Sequence, residues 1–197
     1  FKSVMDKFPD AELMDVLAEE SRLMPHLHIS AQHGDDLILR RMKRRHLGRD
    51  IIRCGDEARR RRPDVAFGAD IIAGFPTESD AAHQQTMTMI KDAGISYLHV
   101  FPYSPRQSTP AAAMPQLDAA VIKQRAGALR ELGKAQLHQH LETAIGTTDR
   151  MLVESGNVGH GKNFAKIRLD QPFVPASSLV DVKIYRRDQD MLLAHAV

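Results

Sequence analysis

The stretch HLHISAQHG, residues 26 to 34, alternates polar and apolar side chains and ends at a glycine. Successive side chains of an extended chain point to opposite faces, so His28, Ser30 and Gln32 share one face and the intervening residues are apolar. The pattern predicts a β-strand with its apolar side in a protein core. Its polar side would either contact water or line a reaction chamber, and the rest of the chain bears on that choice.

The composition favours a soluble globular protein with no membrane span. The chain has 197 residues, a net charge of +2 and a single cysteine, Cys54. No apolar run reaches the roughly 18 residues that cross a bilayer, and no secretory signal opens the chain. One cysteine excludes a disulfide within the chain and cannot hold a zinc or iron–sulfur site by itself. We therefore expect a cytoplasmic protein in which Cys54 is a buried small apolar residue.

Helix and strand patterns alternate over the first three quarters of the chain. Strands are predicted at 26–34, 64–76 and 95–105, with helices at 9–25, 35–46, 49–63, 79–94 and 118–143. This alternation predicts an α/β fold with a parallel sheet, either open or closed into a barrel. After Gly146 the pattern changes to short alternating segments separated by turn residues, which predicts a small antiparallel β-barrel.

The carboxyl ends of the three strands are the expected functional edge. Asp70 interrupts an apolar strand, where a carboxylate is costly unless it is paired or faces a hydrated cavity. Gly74 follows the same strand and would let backbone approach a ligand closely. Arg106, after the third strand, is suited to binding a carboxylate or phosphate. The alternative is that Asp70 and Gln32 only satisfy backbone groups at the rim.

Two runs of cations stand out against the small net charge. One is RRMKRRH at 40–46 and the other is RRRR at 59–62. Local clusters of this kind suit a polyanionic partner such as a nucleic acid. The alternative is that both are solvated helix faces.

Three blocks of this chain resemble successive motifs of the radical S-adenosylmethionine (SAM) methylthiotransferases. They are HLHISAQHGDD at 26–36, GADIIAGFPTESD at 68–80 and HVFPYSPRQSTPAAAMPQ at 99–116. The resemblance implies the C-terminal half of a partial (βα)6 TIM-like barrel over residues 1–145. It also implies a small all-β, OB-like TRAM module, which binds RNA, over residues 146–197.

The resemblance further implies an enzyme that methylthiolates C2 of a modified adenosine beside the tRNA anticodon. The Ser-Pro-Arg element at 104–106, with the basic run MKRRH, favours the tRNA branch of the family over the ribosomal-protein branch, and the nearest resemblance is to the enzymes that act on threonylcarbamoyladenosine. The implied cofactors are SAM and two [4Fe–4S] clusters. The CxxxCxxC cluster motif of the family is absent from this chain. We therefore expect a fragment of a longer enzyme that is inactive alone, with tRNA as the partner through its anticodon loop.

Position-by-position matching to the family assigns two groups of residues. The residues implied to bind SAM are Gln32, Asp70, Ile72, Gly74, Phe101, Tyr103 and Arg106. The residues implied to contact tRNA are Arg40, Arg41, Lys43, Arg44 and His46, with Lys162, Lys166 and Arg168 in the β-rich tail. The chain departs from the family at His33, where serine is usual.

Other functions stay open at this stage. The chain could be a non-catalytic RNA-binding remnant, or its parent could act on isopentenyladenosine in tRNA or on a ribosomal protein. A zinc hydrolase using His26 and His28 is a further alternative, although no third ligand is evident at metal spacing.

Overall fold

A computed structural model describes residues 11–197 as an α/β sheet followed by a closed β-barrel. In chain order the elements are α1 (Ala11–Glu19), β1 (His26–Gln32), α2 (Asp36–Arg41), α3 (Gly48–Arg61), β2 (Ala66–Ala73), α4 (Asp80–Asp92), β3 (Tyr97–Pro102), a short 3-10 helix (Pro110–Ala113), α5 (Ala119–Thr143), β4 (Thr148–Ser155), β5 (Val158–His160), β6 (Lys166–Leu169), β7 (Leu179–Asp188) and β8 (Met191–Ala196). The predicted α/β class with a parallel sheet is confirmed. Among these helices, none is long and apolar enough to cross a membrane.

Two predicted helices are shorter in the structure. The start of the helix predicted at 9–25 lies outside the described residues, and α1 ends at Glu19. Arg62 then donates hydrogen bonds to the carbonyls of Leu17 and Leu23, which fixes the bend that follows. The helix predicted at 35–46 ends at Arg41, because Lys43 has a left-handed φ of 58° that a helix cannot continue through.

The parallel sheet has the order β1-β2-β3, and its helices cover one face. Alternation along each strand decides which side chains enter the core: Ile29 and Ala31 on β1 and Ile71 on β2 are at most 2% exposed. They pack against apolar residues of α1, α3, α4 and α5, including Cys54, which is fully buried as predicted. Burial raises the pKa of the Cys54 thiol and keeps it protonated. The opposite face of the sheet carries no helix from the described residues, and we call it the open face.

The last five strands close into a barrel of order β4-β5-β6-β8-β7. The expected antiparallel pairing holds for every neighbouring pair except β6 and β8, which are parallel. The barrel has its own apolar core, and Leu141 of α5 belongs to that core. The same helix contributes Leu129 to the core under the sheet, so α5 joins the two.

A buried carboxylate, Glu78, holds the carboxyl edge of the sheet together. Its Oε2 accepts hydrogen bonds from the backbone N–H groups of Gly74 (2.6 Å) and Phe75 (3.1 Å). His33, at the end of β1, places Nε2 3.7 Å from the same oxygen. Oε1 lies 3.3 Å from Nδ1 of His83 on α4 and 3.4 Å from Nη1 of Arg125 on α5. We call these groups the Glu78 cluster.

The Glu78 cluster keeps its carboxylate ionised although Glu78 is only 4% exposed. Burial by itself would raise the pKa of Glu78. Interaction with the His33 and His83 imidazoles and with the positive charge of Arg125 outweighs burial and lowers that pKa from 4.5 to about 2. The ionised form therefore stabilises the folded state above pH 4.5, and this contribution disappears as the pH falls from 4.5 toward 2.

Replacing Glu78 by glutamine should lower the free energy of unfolding by about 3 kcal/mol at pH 7, because the pKa difference corresponds to that amount. Denaturant unfolding at several pH values measures this free energy. The difference in free energy of unfolding between the wild type and Glu78→Gln should become smaller below pH 4.5. Glu131→Gln, at an exposed position on α5, is the matched control and should change little. A difference in free energy of unfolding that stays constant with pH would contradict stabilisation by the ionised Glu78 carboxylate.

Candidate functional site

The open face of the sheet carries the polar side chains predicted from strand alternation. His28 and Gln32 on β1, Asp70 on β2 and His99 on β3 are all half-buried or exposed, whereas their chain neighbours enter the core. The parallel register pairs Asp70 with His99 and Ile72 with Phe101. The three strands therefore present one continuous surface, as expected for residues lining a chamber.

Three of these side chains meet at the middle of the strands. Asp70 Oδ1 lies 3.0 Å from His28 Nε2 and 3.3 Å from His99 Nδ1. The two imidazole rings lie 4.8 Å apart between centroids. Strand alternation in the sequence predicts Asp70 as a site residue but does not indicate His99. Its place opposite Asp70 depends on strand register, which the sequence does not reveal.

The end of β1 is distorted at Gln32. This residue has a left-handed φ of 68°, and the pairing of β1 with β2 shifts register between Ile29 and Gln32. A non-glycine residue in this conformation costs of order 1 kcal/mol and is often found at functional sites. The Gln32 carboxamide forms no hydrogen bond with any group from residue 11 onward, so it is available to a ligand.

The end of β2 depends on glycine. Gly74 has a φ of 76°, and a Cβ there would lie 2.7 Å from the Ile122 side chain of α5. Its N–H is held by Glu78, as described above. Sequence reasoning predicted Gly74 but missed Glu78, although the carboxylate lies within a quoted motif. The turn after β2 is therefore a fixed part of the edge.

The aromatic residues of β3 have different environments. Phe101 is 52% exposed beside Ile72 on the open face. Tyr103 packs edge-to-face on Phe75, with ring centroids 5.3 Å apart, in a small apolar cluster that includes Ile38. Its hydroxyl is buried without a hydrogen-bond partner among the described residues. The exposed ring of Phe101 is thus accessible to a ligand, whereas Tyr103 packs against Phe75 and stabilises the start of the loop after β3.

Arg106 lies in the exposed loop that follows β3. Its backbone carbonyl accepts hydrogen bonds from the N–H and the hydroxyl of Thr109, which fix the turn. Its guanidinium has no partner within residues 11–197. An unpaired guanidinium at the carboxyl edge of the sheet can bind a carboxylate or phosphate.

The two basic runs differ in how their charges are neutralised. Every arginine of the run at 59–62 has a carboxylate within 4 Å; the partners are Asp56, Glu57, Asp15 and Asp64. The region after β1 instead contains a basic patch with no ion pair in the described part of the chain. The basic patch comprises Arg40, Lys43, Arg44, Arg45 and Arg49. It is therefore the stronger candidate for a polyanion, and the run at 59–62 is a salt-bridged helix face.

The structure corrects the role expected for His46. This residue is only 4% exposed, and its Nε2 lies 3.0 Å from the carbonyl oxygen of Ala31. Burial and this contact make His46 a structural residue rather than a tRNA contact. The guanidinium of Arg41 donates a hydrogen bond to the hydroxyl of Thr77. Arg41 therefore has a partner, unlike the neighbouring cations of the basic patch, which form no ion pair within the described residues.

The barrel, which carries three of the predicted basic residues, lies far from the carboxyl ends of the sheet strands. Lys162 lines a crevice together with Pro25, Val65 and Ser96, each of which directly precedes a strand of the sheet. The barrel therefore packs at the amino end of the sheet, opposite the edge that carries Gln32 and Arg106. Lys166, on the outer face of β6, has no ion pair with any residue from 11 to 197, and Arg168 pairs with Asp188 at 3.1 Å.

The alternative metal pair His26 and His28 is not assembled. The His26 ring stacks on Phe164 of the barrel, with centroids 5.1 Å apart, and contacts Tyr97 edge-to-face. Burial, together with the neighbouring imidazoles, lowers the pKa of His26. Its role is to join the sheet to the barrel, and the partners of His28 are Asp70 and His99 instead.

Comparison with known proteins agrees with this arrangement. The family model of the radical SAM superfamily matches residues 3–90. The threonylcarbamoyladenosine tRNA methylthiotransferase MtaB of Rickettsia prowazekii is 48% identical over 162 residues, which are 82% of this chain and 38% of that protein. The tRNA-2-methylthio-N(6)-dimethylallyladenosine synthase of Neorickettsia sennetsu is 34% identical over 179 residues, which are 91% of this chain and 38% of that protein.

A further synthase of the same name, from Bartonella bacilliformis, is 40% identical over 133 residues, covering 67% of this chain and 29% of that protein. The chain thus spans less than two fifths of the length of these relatives. The residues matched by the family model include β1, β2 and the basic patch. Over most of its length the chain is thus similar to radical SAM tRNA methylthiotransferases.

Proposed function

We propose that this chain is the SAM- and tRNA-binding part of a radical SAM tRNA methylthiotransferase. The observations that carry the proposal are the radical SAM match over residues 3–90, which contain Gln32, Asp70 and the basic patch, and the 48% identity to MtaB over 82% of this chain. The reaction is methylthiolation of C2 in the threonylcarbamoyl-modified adenosine beside the anticodon. Residues 1–145 correspond to part of a TIM-like radical SAM barrel, and residues 146–197 to a TRAM-like module that binds RNA.

The iron–sulfur clusters of this chemistry do not fit the residues of this chain. Such clusters are ligated by cysteine thiolates, and the one cysteine here, Cys54, is fully buried and protonated. We therefore assign no step of the reaction through a cluster to these residues.

SAM fits the carboxyl edge of the sheet. Its adenine ring can stack on the exposed ring of Phe101, with Ile72 beside it in register. Its charged amino-acid end and its ribose hydroxyls can bind the free Gln32 carboxamide and the free Arg106 guanidinium. The fixed turn at Gly74 brings backbone close to the same edge. When bound, SAM supplies the methyl group and the radical chemistry, and the residues of this chain orient it.

Loss of the Phe101 ring should weaken SAM binding about tenfold, because stacking of a base on an aromatic side chain contributes about 1–3 kcal/mol. Isothermal titration of the 197-residue chain with SAM measures the change in Phe101→Ala. Phe173→Ala is the matched control, since this ring is 79% exposed on the barrel and lies in no predicted site. Equal weakening in both variants, or no SAM binding by the wild type, would contradict the proposal.

The tRNA would bind along the side of the molecule that carries the basic patch. The patch follows the carboxyl end of β1, so phosphates flanking the anticodon can bind it while the modified base enters above the open face. Lys162 of the barrel lies at the amino end of the sheet, about the length of a strand, roughly 20 Å, from the carboxyl edge. Two separated cationic regions suit an extended stem-loop better than a free nucleotide.

Removal of two patch cations in the double variant Lys43→Ala/Arg45→Ala should weaken binding of an anticodon stem-loop. The slope of log K against log salt should become shallower by between about 1 and 2, because each unpaired cation releases about one counterion on binding a phosphate. The matched control Arg53→Ala/Arg60→Ala removes the same charge from residues paired with Asp50 and Glu57. Fluorescence anisotropy at several salt concentrations measures the slope for each double variant. An equal change of slope in the two double variants would exclude the basic patch as the RNA-binding surface.

A second candidate substrate is the dimethylallyl-modified adenosine, because two relatives are synthases named for that product. The two modifications differ in charge, since threonylcarbamoyl carries a carboxylate and dimethylallyl is apolar. The unpaired Arg106 and the basic patch together make the strand edge cationic, which favours the carboxylate.

We therefore expect this chain to bind an anticodon stem-loop with threonylcarbamoyladenosine more tightly than the same stem-loop with dimethylallyladenosine. Competition binding with the two synthetic RNAs measures the ratio, and an unmodified stem-loop serves as reference. Tighter binding of the dimethylallyl RNA would assign the chain to the second substrate.

A further inference from the structure

The cluster of His28, Asp70 and His99 has the donor set of a transition-metal site. One nitrogen from each imidazole and one carboxylate oxygen lie within 4.8 Å of one another. Two histidines and one carboxylate, contributed by three neighbouring strands, leave further coordination positions open on the exposed side. The three side chains belong to the middle of the open face, below the strand ends that carry Gln32 and Arg106.

The spacing of the donor atoms suits zinc. Metal–ligand bonds of about 2.0–2.2 Å place neighbouring ligands of a tetrahedral ion roughly 3.3–3.6 Å apart. The observed separations of Asp70 Oδ1 from the two nitrogens are 3.0 Å and 3.3 Å. These two separations are close to the tetrahedral spacing, and the two imidazole donors lie within 4.8 Å of each other, so side-chain rotations could bring all three donors onto one ion.

The backbone fixes the orientation of His28. Gly68 is its register partner on β2, and a Cβ at that position would lie 2.5 Å from His28 Nδ1. Absence of a side chain at Gly68 lets the imidazole lie across β2 with Nε2 directed at Asp70. His99 reaches the same carboxylate from β3, because parallel pairing sets it directly beside Asp70.

The charge balance also favours a cation. In the described part of the chain, no lysine or arginine forms an ion pair with Asp70. Two neutral imidazoles and one carboxylate carry a net charge of −1, which a dication reverses. Both histidines are accessible to solvent, at 29% and 62% side-chain exposure, so an ion can enter.

We propose that His28, Asp70 and His99 bind a divalent transition-metal ion, with Zn²⁺ as the matching ion, and that its remaining position faces the chamber. Zinc coordination requires an unprotonated nitrogen on each imidazole, so the neutral His28 ring would carry its proton on Nδ1 and present Nε2 to the ion. The site stands on these three residues and does not rest on the proposed methylthiotransferase function.

The test is titration of the metal-stripped 197-residue chain with Zn²⁺ by calorimetry, and with Co²⁺ by visible absorption. One equivalent should bind, and Co²⁺ should give absorption bands of four- or five-coordinate geometry. His99→Ala and Asp70→Asn should each weaken binding at least tenfold. His99 is 62% exposed, so its removal leaves the fold intact, and circular dichroism verifies this for both variants.

The matched control is His138→Ala, which removes a histidine of α5 that lies 2.7 Å from Asp190. It should keep wild-type affinity. Absence of one-to-one binding, full affinity in His99→Ala, or equal losses in His138→Ala would each overturn the proposal. Because SAM binding is measured separately with Phe101→Ala, failure of the metal site and failure of the proposed function give different results.

Discussion

The architecture of the candidate site depends on the ionised carboxylate of Glu78. A buried charge is stable only when hydrogen bonds and opposite charges surround it. Here those partners come from the end of β1, the turn after β2, helix α4 and helix α5. Because one side chain joins four elements, the carboxyl edge of the sheet is a single unit. The left-handed turn at Gly74 and the bulge at Gln32 are therefore attached to the same support.

Apolar patterns made much of this fold predictable from sequence. Alternation at Ile29, Ala31 and Ile71 assigned the core face of the sheet correctly, since burial of apolar side chains depends on local periodicity. Buried polar groups are different. Arg125 lies 47 residues from Glu78 in the chain, and no local pattern indicates that they meet. For the same reason His46 was assigned to the surface, although its partner is a carbonyl of β1.

The spacing of carboxylates in the sequence distinguishes the two cationic runs. Asp56 and Glu57 lie three or four residues before Arg59, Arg60 and Arg61, a spacing that places opposite charges side by side on a helix. That spacing indicated neutralisation of this run. Within the basic patch only Arg40 has a carboxylate at that spacing, Asp36, and this carboxylate accepts a hydrogen bond from the N–H of Gly48 instead. The unpaired charge of the patch therefore results mainly from composition.

Helix α5 limits how the barrel can move relative to the sheet. Leu129 lies in the core under the sheet and Leu141 in the core of the barrel, about 18 Å apart along one continuous helix. Phe164 of the barrel adds a second connection through its stack with His26 at the amino end of β1. A rotation of the barrel would therefore have to bend α5 and separate these rings. The distance between the basic patch and the barrel is consequently set by the fold, so an RNA that contacts both must match it in length.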